Sequence, residues 1–248
     1  ILLNEVKTPD RLNERQFARW CMLYCRAADK LFKDMLYTEQ LDRALAWCKN
    51  HGTAEQRAWM GLYLGRSYVK DKLFIPAMKA YSDALSLAKE KYLYDVAGYI
   101  CSYMADLYTY TGQRSEERRK FEEAAEFFKQ AGNERSYAFA LRDVAKTWAF
   151  DDSLSLALHY MLIADSVITR FQDLRGISSI SNGLGNIYDL MGDVEKARAY
   201  YSRSLSSDTM DQVPSYLALS DLYYNESLLD SARYYLALAT GPSLNPYT

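Results

Sequence analysis

The sequence predicts an all-α fold, a right-handed superhelical array of antiparallel helical hairpins, and three observations carry that expectation. A short pattern recurs every 40 residues, as it does when similar units stack on one another instead of sharing one globular core. Inside each period the apolar residues fall three and four apart, a helical spacing, and the spacing breaks once in the middle. The composition, rich in Ala, Leu and Tyr and poor in Val, leans towards helix.

The pattern begins at Leu64-Gly65-x-x-Tyr68, followed by Ala77, Tyr81 and Ala84. Forty residues on stand Met104-Ala105-x-x-Tyr108, then Glu117, Phe121 and Ala124; next come Val144-Ala145-x-x-Trp148, then Ala157, Met161 and Ala164. Leu184-Gly185-x-x-Tyr188, with Ala197, Tyr201 and Ser204, completes the set. The mid-unit breaks carry turn residues: Asp71-Lys72, Thr111-Gly112, Asp151-Asp152 and Met191-Gly192-Asp193. Each unit is therefore a first helix bearing the small residue and a second bearing Ala-x-x-x-aromatic-x-x-Ala. The small residue lets a facing helix approach, and residues three and four apart on the second helix point together at it. Pro76 fits a helix start, where a missing N–H is harmless. A fifth unit, at shorter spacing, runs through Leu219-Ser220-x-x-Tyr223, Ala232, Leu236 and Ala239, with Asp211 and Pro214 as its helix start. A degenerate leading unit is expected over 12–50, with helices at Phe17–Lys30 and Thr38–Asn50. The expectation is one array over 1–248, with further units at about 58–91, 98–131, 138–171, 178–209 and 213–240 and a tail at 241–248.

This pattern resembles the tetratricopeptide repeat: a small residue at position 8, an aromatic at 11, Ala at 20, an aromatic at 24 and Ala at 27. The departures are Glu117 for Ala, Ser204 at the end of the fourth unit, and a period of 40 instead of 34, which lengthens helices or loops. The leading segment and unit order also resemble bacterial regulator-type repeat proteins, whose arrays often precede a transmembrane or coiled segment and a DNA-binding end.

Composition excludes some functions. A net charge of −2 leaves no electrostatic footprint for nucleic acid, and the cluster Arg114, Arg118, Arg119 and Lys120 is interrupted by Glu116 and Glu117. No apolar run reaches the roughly 18 residues of a spanning helix. The chain opens on Ile1, so the compartment stays open between cell envelope, periplasm and cytoplasm. Neither His51 nor His159 lies in a catalytic pattern, and Gly183-Leu184-Gly185 sits inside an expected helix, where it serves packing. Cys21, Cys25, Cys48 and His51 could in principle converge on zinc, but the spacing matches no familiar zinc motif, so they read as core. No metal, cofactor or enzymatic activity is expected.

The resemblance implies a groove lined by the first helix of each unit. Trp59, Arg66 and Lys70 come from the first clear unit, with Leu62 and Val69 beside them. Tyr99, Asp106 and Tyr110 come from the second, and Phe139, Arg142, Lys146 and Phe150 from the third. Asn182 and Asn186 come from the fourth, beside Asp189, and the fifth contributes Leu217, Asp221, Tyr224 and Asn225. Two cation pairs, Arg66/Lys70 and Arg142/Lys146, stand among aromatics. In some members such pairs grip a peptide carboxylate, an arrangement that expects Asn where this chain has Arg66 and Asp106. The favoured reading is a ladder in which Arg66, Asp106 and Lys146 neutralise one another; an anion site is the other. Tyr99 and Phe139 read equally as packing residues.

The function expected is a non-enzymatic module that docks a protein or peptide in the groove. The alternative is a sensor domain of a bacterial signalling regulator that responds to a peptide or small ligand. The helix expected at Leu228–Thr240 is apolar on nearly all faces, which predicts cover by downstream chain or by a second copy of the protein.

Overall fold

The computed structural model describes residues 9–241, apart from 32, 34 and 209–211. The described residues form twelve α-helices and no strand, after a 3-10 turn at Pro9–Arg11. They divide into two compact units, Ile1–Gly132 and Asn133–Thr248.

The first unit holds α1 (Glu14–Lys30), α2 (Thr38–His51), α3 (Ala54–Lys70), α4 (Phe74–Glu90), α5 (Tyr94–Thr111) and α6 (Arg114–Gln130). Here α1, α3 and α5 pack side by side, while α2 lies against α1 and α3, and α4 against α3 and α5. The second unit holds α7 (Glu134–Phe150), α8 (Leu154–Arg170), α9 (Leu174–Leu190), α10 (Val194–Ser207), α11 (Val213–Asn225) and α12 (Leu229–Thr240), packed in the same manner.

The 40-residue period has a simple cause. Helices α3, α4 and α6 to α9 are each 17 residues long and three-residue turns join them. The residues added to the 34-residue repeat therefore lie in helix, not in loops. A left-handed residue recurs in these turns at Lys72, Tyr92, Gly112, Gly132, Asp152, Gln172 and Gly192. It turns the chain so that the next amide caps the helix it has left: Leu73 N–H donates to the Tyr68 carbonyl at 2.8 Å, and Asp193 N–H to the Tyr188 carbonyl at 2.9 Å. Helix starts are fixed by side chains. Asn13 with Gln16, and Thr53 with Gln56, form reciprocal capping boxes.

The repeated residues are the core. Leu64, Met104, Val144 and Leu184 are buried, as are Ala77, Ala124, Ala157 and Ala197 on the second helices, with Tyr81, Phe121, Met161 and Tyr201. Pro214 lies at the start of α11; Asp211, its expected companion, falls outside the described residues, as do the tail residues after Gly241. At α12 the burial fails: Ala232 is buried, whereas Leu228, Leu229, Tyr234, Leu236 and Leu238 are exposed.

Candidate functional site

In the first unit a cleft of about 450 Å³ opens between α3 and α5, with Tyr81 of α4 at its floor, 1% exposed. Of the expected residues it gathers Arg66 and Lys70 on one wall and Asp106 and Tyr110 on the other. Helix geometry explains the pairing, since residues four apart share a face. Trp59 and Tyr99 stand apart from it. Their rings pack on each other at 5.5 Å, and Tyr99 meets Phe128 edge to face at 4.9 Å.

The two cations of α3 do not point forward as a pair. Arg66 forms an ion pair with Asp29 of α1, and its guanidinium lies 4.6 Å over the ring of Tyr103. The Tyr103 hydroxyl donates to the same carboxylate at 2.7 Å, so Asp29, Arg66 and Tyr103 clasp α1, α3 and α5 together. The Lys70 ammonium lies 5.2 Å over Tyr37, at the start of α2. Like charges one helical turn apart repel, and each finds a partner in the first hairpin. Arg66, which the ladder reading sets beside Asp106, takes Asp29 as an ion-pair partner.

The residue that broke the repeat also has a place here. Glu117 accepts a hydrogen bond at 2.9 Å from the hydroxyl of Thr109, which lines the cleft. Tyr110 stacks on Phe74 at 6.1 Å and is 71% exposed. Tyr103 was not among the expected groove residues. It precedes the repeat signature by one position, and nothing in its spacing announces a reach across α3 to α1.

In the second unit Arg142 forks onto Asp143, with Nε and Nη2 each 2.9 Å from a carboxylate oxygen, and donates to Ser179 at 2.9 Å. Lys146 also approaches Asp143, at 3.4 Å. The anion that the sequence sought for this pair is thus supplied by the next residue in the chain. Phe139 lies between Arg135 and Arg142, each guanidinium 4.9 Å from its ring, and Phe150 is exposed at the end of α7. Asn182 donates to Ser215 at 3.1 Å, and Asn186 accepts from the Tyr201 hydroxyl at 2.9 Å.

Cys21, Cys25 and Cys48 are buried, and burial pushes the thiols of Cys21 and Cys25 up to about 12. His51 instead stacks on Trp47 at 5.1 Å. Among the described residues no group of three or more His, Cys, Asp or Glu is placed to hold a metal ion, and no helix is long and apolar enough to cross a membrane.

No family model and no curated protein matches this chain. Solved structures do. BtubC from P. vanneervenii is similar at 20% identity, over 90% of this chain and 89% of that one, with a TM-score of 0.68. The apo form of RapI is similar at 13% identity, over 95% and 86%, with a TM-score of 0.69. NprR, solved in complex with its cognate peptide NprX, is similar at 16% identity, over 96% and 71%, with a TM-score of 0.67. At these identities the likeness establishes the fold, a tetratricopeptide-like solenoid of helical hairpins.

Proposed function

We propose that this chain is a non-enzymatic interaction module that docks an extended peptide or protein segment against the face formed by α3 and α5. The observation that carries the reading is the cleft between them. Its volume of about 450 Å³ lies within the usual range of ligand sites, and its tyrosines offer large apolar surfaces with polar tips. The peptide held by NprR, on a similar fold, supports a peptide as the occupant. A net charge of −2 favours protein over nucleic acid as partner.

Selection from a displayed peptide library tests this. Peptides retained by the wild-type chain and lost by Tyr110→Ala, with helicity unchanged by circular dichroism, are the expected result. A library that yields nothing, or peptides held equally by both proteins, overturns it.

A second copy of the chain is the proposed cover for α12, since its exposed leucines form the kind of apolar face that associates. Sedimentation should show a concentration-dependent dimer that Leu229→Glu abolishes; a strict monomer removes this partner.

A further inference from the structure

Helix α1 carries four cations and two carboxylates, and both carboxylates are taken by other helices. Glu14 accepts from the Arg43 guanidinium of α2 at 2.6 Å, and Asp29 is ion-paired with Arg66 of α3. The four cations, Arg15, Arg19, Arg26 and Lys30, are all exposed, and among the described residues none has a carboxylate within ion-pair distance. At about 100° per residue they fall within about 60° of one another around the helix axis, so they form one row about 22 Å long. Midway along it Leu23 is 45% exposed, with Met22 half-buried at its side. Arg15/Arg19 and Arg26/Lys30 are like-charge pairs one turn apart, which weaken a helix until an anion meets them. None of the four lines the cleft between α3 and α5, so the row is a separate surface.

We infer that α1 is a second docking surface, and that its partner is an acidic amphipathic helix laid along this row. The inference does not rest on the cleft. Spacing selects a helix over an extended strand. Along α1 the successive cations are about 6, 10.5 and 6 Å apart. A strand sets its same-side residues about 6.7 Å apart, which suits the outer steps, but the middle step falls at about three residues, where the side chain points the other way. A second helix has the same rise as α1. Carboxylates at its i, i+4, i+11 and i+15 positions therefore meet all four cations, with an apolar residue at i+7 or i+8 against Leu23. That set reads the same in both directions, so a parallel or an antiparallel partner fits. Arginine at three of the four positions suits carboxylates, whose two oxygens match its fork. Other polyanions fit less well. A single short row on a chain of net charge −2 leaves a long nucleic acid without counter-charges beyond its ends, and one exposed leucine is too little to enter a lipid surface.

The test uses the whole chain and labelled helical Ala/Gln peptides, followed by fluorescence anisotropy at low and at physiological salt. One peptide carries Glu at the four matching positions and Leu at the centre. A second has the same composition, with its glutamates spread around the helix. The matched peptide should bind, and more weakly as salt rises. Spreading the glutamates, or combining Arg19→Glu with Arg26→Glu in the chain, should weaken binding about tenfold. Circular dichroism should show the helicity of the double variant unchanged. Equal binding of the two peptides overturns the helical register, and equal binding by the double variant moves the partner off α1. Oligothymidine or phosphatidylserine vesicles held more tightly than the matched peptide, and released by the double variant, overturn the acidic helix in favour of a nucleic acid or a lipid surface. No binding of the matched peptide overturns the inference outright.

Discussion

Tyr81 occupies the space that a side chain at Gly65 would need: a Cβ built there overlaps the tyrosine ring. Gly185 and Tyr201 repeat the relationship in the second unit. Where the small residue is Ala105 or Ala145, the following helix carries Phe121 or Met161 in place of tyrosine. Glycine thus goes with tyrosine in both hairpins that carry it, and alanine with Phe121 or Met161.

Gly65→Ala should therefore cost about 1–3 kcal/mol, because the buried ring has nowhere to move. Adding Tyr81→Met, the partner that goes with Ala145, should recover part of that loss. Urea titrations of the two single variants and the double variant give the coupling. Strict additivity would show that the two positions do not share one space.

Much of this architecture was legible in the sequence, because a signature such as Leu64-Gly65-x-x-Tyr68 reports backbone approach and helical phase together. The turns between units were less legible. Tyr92 and Gln172 adopt φ of 56° and 52°, a conformation that their residue types do not advertise. At the cleft, Arg66, Lys70, Asp106 and Tyr110 line the two walls, and the long-range partner of Arg66 is the part that sequence spacing does not carry. Arg66 bonds a residue 37 positions earlier, and no short-range pattern encodes such a contact. Glu117 looked like a lapse in the repeat until Thr109 supplied its hydrogen bond.

The clasp of Asp29, Arg66 and Tyr103 joins three helices through one carboxylate. Tyr103→Phe removes a single hydroxyl and leaves the ring under Arg66, so it should cost about 1 kcal/mol. Asp29→Asn should cost more, since Arg66 then loses its counter-charge in a half-buried setting. Hydrogen exchange locates the effect: faster exchange in α1, with α6 unchanged, is the expected pattern. A uniform change along the first unit would mean that the clasp is not local.

Gln172 pays a steric penalty at its left-handed turn that glycine would not. Gln172→Gly should stabilise the chain by about 0.5–1 kcal/mol, with no change in helicity. A loss of stability in thermal unfolding would mean that the Gln172 side chain makes a contact worth more than the strain it carries.

Asp189 of α9 supplies a pH test with a definite sign. Burial, and then the neighbouring carboxylate of Asp221 on α11, hold its carboxyl above its usual value. A raised folded value means that the ionised form is disfavoured in the native state. The penalty is fully present above the folded value and disappears as pH falls below the unfolded one, about 4. Asp189→Asn should accordingly be more stable than the wild type at neutral pH, with the difference fading towards pH 4. Urea midpoints measured across that range decide it. A variant that is less stable at pH 7, or a difference flat with pH, would mean that Asp189 is held by favourable contacts. A gain that fades in acid would show that burial, with Asp221 beside it, disfavours the ionised carboxylate of Asp189 in the native state.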